Sequence, residues 1–271
     1  MTTTIADART LLFVPGGKPE LFAKAAASGA DGFIADLEDA VAPEAKDAAR
    51  ALAVEGLAQA PGVVRINAVG TPWHNADLAA VAGAPGVTGV MLPKAEDAEA
   101  VRAVAERLAG TPLLLLVESA LGVRDVAALA QVPGVTRLSF GNLDFALDAG
   151  IEPRSDDEDE LLFARSAITL ASRAAGLPGP MDGVLGDFRN DDLMARRTRR
   201  AFDLGFRGKL CIHPRQVAVV HEAIAPSEEE VAWARRIVDG AGALEGAAVQ
   251  VDGEMVDRPV LLKARDILAR A

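Results

Sequence analysis

The sequence has one cysteine, no surplus of basic residues and no long apolar run, and each shortage removes a class of protein. A single thiol, Cys211, forms no intramolecular disulfide, which fits a reducing compartment. With 28 Lys and Arg against 39 Asp and Glu, the formal charge is −11. The summed field of such a chain repels phosphate, which disfavours nucleic acid and anionic membrane surfaces as partners. Leu113–Val117, among the longest unbroken apolar stretches, is far too short to span a bilayer. The opening MTTTIADART carries neither the basic nor the apolar region of a secretory signal. The expectation is a cytoplasmic protein without membrane or nucleic-acid partners. A GxGxxG fingerprint is also missing after the first strand-like run, where the sequence reads PGGKPE. A dinucleotide fold is disfavoured accordingly.

Apolar residues are abundant. They make up 50% of 271 residues, enough for a large core, and about 250 residues is an ordinary length for one α/β barrel domain. Eight short runs read as strands: TLLFVP (10–15), GFIADLE (32–38), VVRIN (63–67), GVMLPK (89–94), PLLLLVE (112–118), RLSFGN (137–142), DGVLGD (182–187) and KLCIHP (209–214). They are apolar almost continuously, as expected for parallel strands with helices on one face and a barrel interior on the other. Ala-rich amphipathic stretches lie between them, many closing on Gly. The order predicts an α/β fold, a closed (β/α)8 TIM barrel over residues 1–225. An open doubly wound sheet is the alternative and would more often have five or six strands. Residues 226–271 predict an extension. It has a helix with Ser227 as N-cap and Glu230 as its capping-box partner, a hairpin around Asp252-Gly253 and a final helix. Such an extension packs under its own barrel or reaches a neighbouring subunit. The acidic run SDDEDE (155–160) reads as a solvated loop merging into a helix N-terminus, where the macrodipole favours negative charge.

In such barrels chemistry sits at the C-terminal ends of the strands. Those ends carry Gly16, Gly17 and Lys18, then Asp36, Glu38 and Asp39, then Arg65, Lys94, Glu118, Asn142, Asp144, Asp187 and His213. Glu118 and Asp144 close two successive apolar runs, LLLLVES and LSFGNLD. Two oxygen donors meeting at one mouth is how a protein holds Mg²⁺ with room left for a substrate. Charge aimed into one crater needs compensation, for which Arg65, Lys94 and a divalent cation are available. Within DLED, one acid is expected to point into the barrel and another to cap the next helix, with Glu38 the functional one. Lys94 stands between a role in the site and simple pairing with barrel acids. His213 reads as a structural histidine and Cys211 as inert core.

These residues lie in motifs that resemble the citrate lyase beta-subunit-like family, relatives of malyl-CoA and citramalyl-CoA lyases. The motifs are LFVPGGKPE, DLEDAV, VVRIN, TPW, VMLPKAE, LLVES, LSFGNLD, DGVLGDF, GFRGKLCIHPRQ and PSEEEVAWAR, in family order from about Leu11 to about Pro259. The resemblance implies a Mg²⁺-dependent carbon–carbon lyase acting on a 3-hydroxyacyl thioester of CoA, such as malyl-, citramalyl- or citryl-CoA. The products would be acetyl-CoA and an α-keto acid, or the condensation would run in reverse. It implies Glu118 and Asp144 as metal ligands, and Arg65 and Glu118 against the substrate. Glu38 would orient the site through Arg65 or a metal-bound water, and Gly16, Gly17 and Lys18 would face CoA. Asp257, in VDGEMVDRP, matches the acid that in relatives reaches an adjacent subunit's site and handles the enolising proton, which implies a homotrimer or hexamer.

Two departures from the family pattern stand out. Gly17-Lys18 replaces a commoner Asn-Arg, and Asn142-Leu143 stands where Ala-Glu is frequent, a change read as a substrate-subgroup marker. Three rivals remain: a citrate lyase beta subunit acting on an acyl-carrier-protein thioester, a pyruvate-type aldolase using free aldehydes, and a non-catalytic acyl-CoA-binding protein. The candidate acyl groups differ by a methyl or carboxymethyl group. Pocket shape reads that difference, worth ~1–3 kcal/mol for a methylene, and no single residue reports it.

Overall fold

Strands that are apolar on both faces still sort their side chains with a period of two, and this sorting builds the molecule. The computed structural model describes residues 4–241, 248–251 and 253–270. Eight parallel strands pair in chain order and the last closes on the first. They are β1 (Thr10–Pro15), β2 (Gly32–Asp36), β3 (Gly62–Arg65), β4 (Val87–Leu92), β5 (Leu113–Val117), β6 (Val135–Phe140), β7 (Met181–Asp182) and β8 (Gly208–Cys211). The expected (β/α)8 barrel is present. Leu11, Ile34, Val63, Met91, Leu114, Leu116 and Leu210 form the barrel interior. Their alternates Leu12, Phe33, Ala35, Val64, Leu92, Leu115 and Cys211 pack outward under the helices. A fully buried Leu or Ile contributes roughly 1.5–3 kcal/mol, so a one-residue slip in any strand would lose both clusters at once.

The helices returning the chain are α1 (Phe22–Ala26), α2 (Lys46–Leu57), α3 (His74–Val81), α4 (Ala98–Leu108), α5 (Ala120–Ala130), α6 (Asn142–Asp148), α7 (Leu162–Ala174), α8 (Asp191–Asp203) and α9 (Pro214–Ile224). Two local features place the site. The Ser119 hydroxyl accepts the Gly122 N–H at 3.1 Å as the N-cap of α5, pinning the turn beside Glu118. The strand read through LSFGNLD stops at Phe140, and Asp144 stands in the first turn of α6 instead of at a strand end. Gly141 makes the break. Its N–H still bonds the Val117 carbonyl at 2.9 Å, while its own carbonyl already accepts the Phe145 N–H at 3.0 Å. The seventh strand is also shorter than DGVLGD, because Gly183 lies against the Asn142 side chain and the Phe140 carbonyl.

The N-terminal end of the barrel is closed by Arg137, which has no exposed surface. Its Nε donates to the Gly179 carbonyl at 2.8 Å, and Nη1 donates to the Ile5 and Ala8 carbonyls at 3.0 and 2.6 Å. Burial, which the charges of Asp7 and Asp31 offset only in part, pulls this guanidinium down to about 10.

The chain's contacts divide it into residues 1–223 and 224–271. The second unit contains α10 (Glu228–Ala241), an antiparallel pair β9 (Val249–Val251) and β10 (Glu254–Val256), and α11 (Arg258–Arg270). Its own core includes Ala234, Ile237, Val251, Val256, Leu261 and Ile267. The expected capping box is formed: the Ser227 N–H donates to Glu230 at 2.8 Å and the Glu230 N–H donates to the Ser227 hydroxyl at 3.1 Å. The expected hairpin is formed too, although Asp252 of its turn lies outside the described residues. Among the described residues no helix is long and apolar enough to cross a membrane.

Candidate active site

At the C-terminal ends of the strands the interior row changes from apolar to charged. Ile34 is followed two residues on by Asp36, Val63 by Arg65 and Leu116 by Glu118, so the barrel pleat aims all three charges at one mouth. A cavity of about 410 Å³ opens there. Part of its apolar lining, Phe13, Leu116, Val184 and Leu210, continues the barrel interior, and its polar lining comprises Asp36, Asp39, Arg65, Glu118, Asn142 and Asp144. The cavity therefore brings together Arg65, Glu118 and Asp144.

Arg65 is buried and clamped. Its Nε and Nη2 donate to the two oxygens of Asp36, each at 2.7 Å, a bidentate pair. Its Nη1 lies 3.0 Å from Glu38 and 3.2 Å from Asp39, and Phe13 stacks beneath at 4.9 Å. Burial opposes this charge, but Asp36, then Glu38 and Asp39, outweigh it and raise the guanidinium above its ordinary value. Asp36 and Glu38 thus both reach Arg65, where one inward acid and one helix cap were expected. Asp36 still does capping work, accepting the Glu38 and Ala40 N–H groups at 2.9 and 3.1 Å. That Asp36 holds Arg65 bidentately agrees with the period-two spacing of 34, 36 and 38, which turns it inward.

Glu118 is 2% exposed. Its Oε1 accepts the Lys94 N–H at 2.9 Å, and the Lys94 ammonium donates to Glu38 at 2.8 Å. Burial first, then the charges of Glu38 and Asp144, push the Glu118 carboxyl up to about 8, with Lys94 and Arg65 offsetting only part. Burial likewise raises Glu38 against Arg65 and Lys94. Five carboxylates, Asp36, Glu38, Asp39, Glu118 and Asp144, thus face three cations, Arg65, Lys94 and the buried Lys46, so acid remains in surplus. Asp144 is half-buried on the same cavity wall. Among the described residues no group of three or more His, Cys, Asp or Glu converges as a metal cage. A cation here would take two carboxylates and complete its shell from water or substrate, an all-oxygen set that suits a hard divalent ion.

The glycines and lysine of the β1 turn are not part of this cavity lining. In the β1 turn Gly16 is buried and Lys18 exposed. A Cβ at Gly16 would fall 2.8 Å from the Asp36 carbonyl, so only glycine allows β2 to approach. The Gly16 and Lys18 N–H groups donate to the Asp36 and Pro15 carbonyls at 2.8 and 3.0 Å, so they serve the turn itself. Asp257, in the second unit, accepts the Val260 N–H at 3.1 Å as a cap of α11. His213 stacks on Phe188 with centroids 4.5 Å apart, and burial pushes the Cys211 thiol up to about 12.

The acidic run 155–160 is not wholly solvated. Glu158 is 5% exposed, with φ +51° turning it back into the protein. It accepts from Arg165 and Arg197, both at 2.6 Å, and from the Asn142 amide at 3.1 Å. Arg165 continues to Asp182 at 2.9 Å, and Asp182 to Lys209 at 2.5 Å. Burial would raise Asp182, but Lys209 and Arg165 hold it at about 2. Asn142, two residues before Asp144, is thus anchored to a buried charge network that a run of five acids in sequence concealed.

Residues 9–214 match the HpcH/HpaI aldolase/citrate lyase family. The chain belongs to that family. It is an enzyme of the lyase class. It is 37% identical to a citrate lyase subunit beta-like protein of Deinococcus radiodurans, with 96% of each chain covered. It is 35% identical to a (3S)-malyl-CoA thioesterase of Cereibacter sphaeroides, covering 97% of this chain and 94% of that one. Among solved structures it is similar to CitE of Mycobacterium tuberculosis in complex with magnesium, acetoacetate and coenzyme A. That similarity has a TM-score of 0.85 and 39% identity, with 98% of each chain covered.

Proposed function

We propose that this family member cleaves, or forms, the carbon–carbon bond of a 3-hydroxyacyl thioester of CoA of the malyl, citramalyl or citryl type, with Mg²⁺ held by Glu118 and Asp144. The observation that carries the reading is the carboxylate surplus in one cavity: three acids already surround Arg65, and Glu118 is still held up at about 8. A hard divalent cation neutralises such a surplus. The magnesium, acetoacetate and coenzyme A complex of the M. tuberculosis relative supports the same reading. When bound, Mg²⁺ supplies Lewis acidity to an oxygen of the acyl substrate.

The protein's own groups do the rest. Asp36 holds the Arg65 fork rigid, so its remaining edge meets the substrate's carboxylate or thioester oxygen without reorganising. Asp39, with 61% of its side chain exposed, is the partner a substrate anion displaces from Nη1. A guanidinium never deprotonates, so it stabilises charge gathering on the thioester carbonyl as the carbon–carbon bond breaks. Glu38 orients Arg65 from β2. The apolar lining limits water at the nascent carbanion. A cavity of about 410 Å³ takes the acyl end and leaves CoA outside, over Gly16, Gly17 and the Lys18 ammonium. Asp257 of a neighbouring copy handles the enolising proton, in a homotrimer or hexamer.

Similarity to a (3S)-malyl-CoA thioesterase favours a second reading, hydrolysis of the thioester bond. Incubating malyl-, citramalyl- and citryl-CoA with enzyme and Mg²⁺, and identifying the products, separates the two. An α-keto acid with acetyl-CoA is expected from at least one substrate. Hydroxy acid with free CoA would move the assignment to hydrolysis. Turnover confined to acyl-carrier-protein thioesters would move it to a citrate lyase subunit.

A further inference from the structure

At the end of β4 the backbone does something a lysine rarely does. Lys94 has φ +49°, in the left-handed region where a residue with a Cβ is strained. Such strain persists where surrounding contacts enforce it. Two contacts do so here: the Lys94 N–H donates to Glu118 Oε1 at 2.9 Å, and its Nζ donates to Glu38 Oε1 at 2.8 Å. The ammonium also lies 4.0 Å from Glu118 Oε1. The second oxygen of Glu118 lies against Gly141. A Cβ built on Gly141 would fall 2.6 Å from Oε2, and Gly141 leads directly into α6 and Asp144.

We propose that Lys94 is a positioning residue for Glu118: its left-handed backbone N–H fixes Oε1, so that Oε2 is presented to the turn carrying Asp144. Its ammonium meanwhile keeps Glu38 beside Arg65. The inference rests on the reading that Glu118 and Asp144 hold Mg²⁺. A donor fixed by the backbone removes the freedom of the carboxylate's last torsion, so the ligand geometry exists before the cation arrives. Glycine would adopt the turn without strain but carry no ammonium. A β-branched residue would resist the turn itself.

That difference supplies the test. Mg²⁺ binding is measured by calorimetry for wild type, Lys94→Gly, Lys94→Val and Glu118→Ala, with melting temperatures alongside. Both Lys94 variants lose the ammonium, and only Lys94→Val forces the N–H away from Glu118. Lys94→Val is expected to bind Mg²⁺ about tenfold or more weakly, the usual cost of losing a group that orients a ligand. Lys94→Gly is expected within about threefold of wild type, since the N–H bond is kept. Equal affinities in the two variants, with Glu118→Ala defective, overturn the role of Lys94 and leave the metal site standing. Undiminished binding in Glu118→Ala overturns both. In wild-type protein labelled with ¹⁵N-lysine, the Lys94 amide, assigned by its absence in Lys94→Gly, is expected to shift on Mg²⁺ addition. This needs no Lys94→Val fold, and an unmoved resonance contradicts the proposal.

Discussion

Arg65 and Arg137 are buried in the same barrel, one at the mouth and one at the opposite end, and their surroundings are opposite. Arg65 is ringed by Asp36, Glu38 and Asp39, and its charge is reinforced. Among the described residues Arg137 donates to backbone carbonyls and forms no salt bridge, and burial, only partly offset by Asp7 and Asp31, brings it down to about 10. Carbonyl dipoles close a barrel end and tie in the N-terminal segment. The carboxylates at the mouth act differently: after burial, which is the larger cause, Glu38 and Asp144 help push the Glu118 carboxyl up to about 8. Within a single fold, one buried guanidinium is thus held by carbonyls and the other by carboxylates.

Removing each arginine should expose that difference most strongly. Arg65→Ala is expected to lower kcat/KM by about 10³-fold, the scale of losing an electrostatic donor aimed at developing charge. Arg65→Lys should recover little, because an ammonium cannot match the bidentate Asp36. Arg137→Met should behave in the reverse way. One buried and two part-buried carbonyls lose their donor, so urea unfolding should show a loss of about 2–4 kcal/mol, while kcat/KM of the folded protein stays within about twofold. If Arg137→Met cut turnover as deeply as stability, the contrast between the two ends would be lost.

A smaller effect is expected from pH. The folded Glu118 carboxyl, at about 8, holds a proton that an ordinary carboxyl gives up near 4.5. Its contribution to stability is fully present below 4.5 and is lost as pH rises through 8. Glu38, also raised, acts with the same sign. Urea unfolding in EDTA should therefore show a loss on the order of a few kcal/mol between mildly acidic and mildly alkaline pH. Glu118→Gln should flatten this slope and Mg²⁺ should offset it. A slope unchanged in Glu118→Gln would place the titration elsewhere.

Much of this architecture was legible as residue patterns. Eight apolar runs placed the strands because both faces of each are buried, and strand ends placed Arg65, Glu118 and Asp144 near one mouth. The misses have physical causes. Asp144 was read at a strand end because the break at Gly141 depends on hydrogen bonds to the Val117 and Phe145 backbones, distant or helical partners that a linear run does not display. Glu158 was read as solvated because its charge is cancelled by Arg165 and Arg197, which follow it in the chain and meet it only after folding. Lys94 was left open because its contribution to Glu118 comes from the backbone, and the identity of a side chain says little about its own N–H.

The central claim is that the acid surplus at the mouth is a divalent-cation site. It is tested most directly by calorimetric titration of Mg²⁺ into wild type, Arg137→Met and the double variant Glu118→Ala/Asp144→Ala near pH 8. One site is expected in wild type and in Arg137→Met, with proton release growing as the pH is lowered below about 8. The double variant is expected to show no binding. Unchanged Mg²⁺ affinity in the double variant would contradict the account.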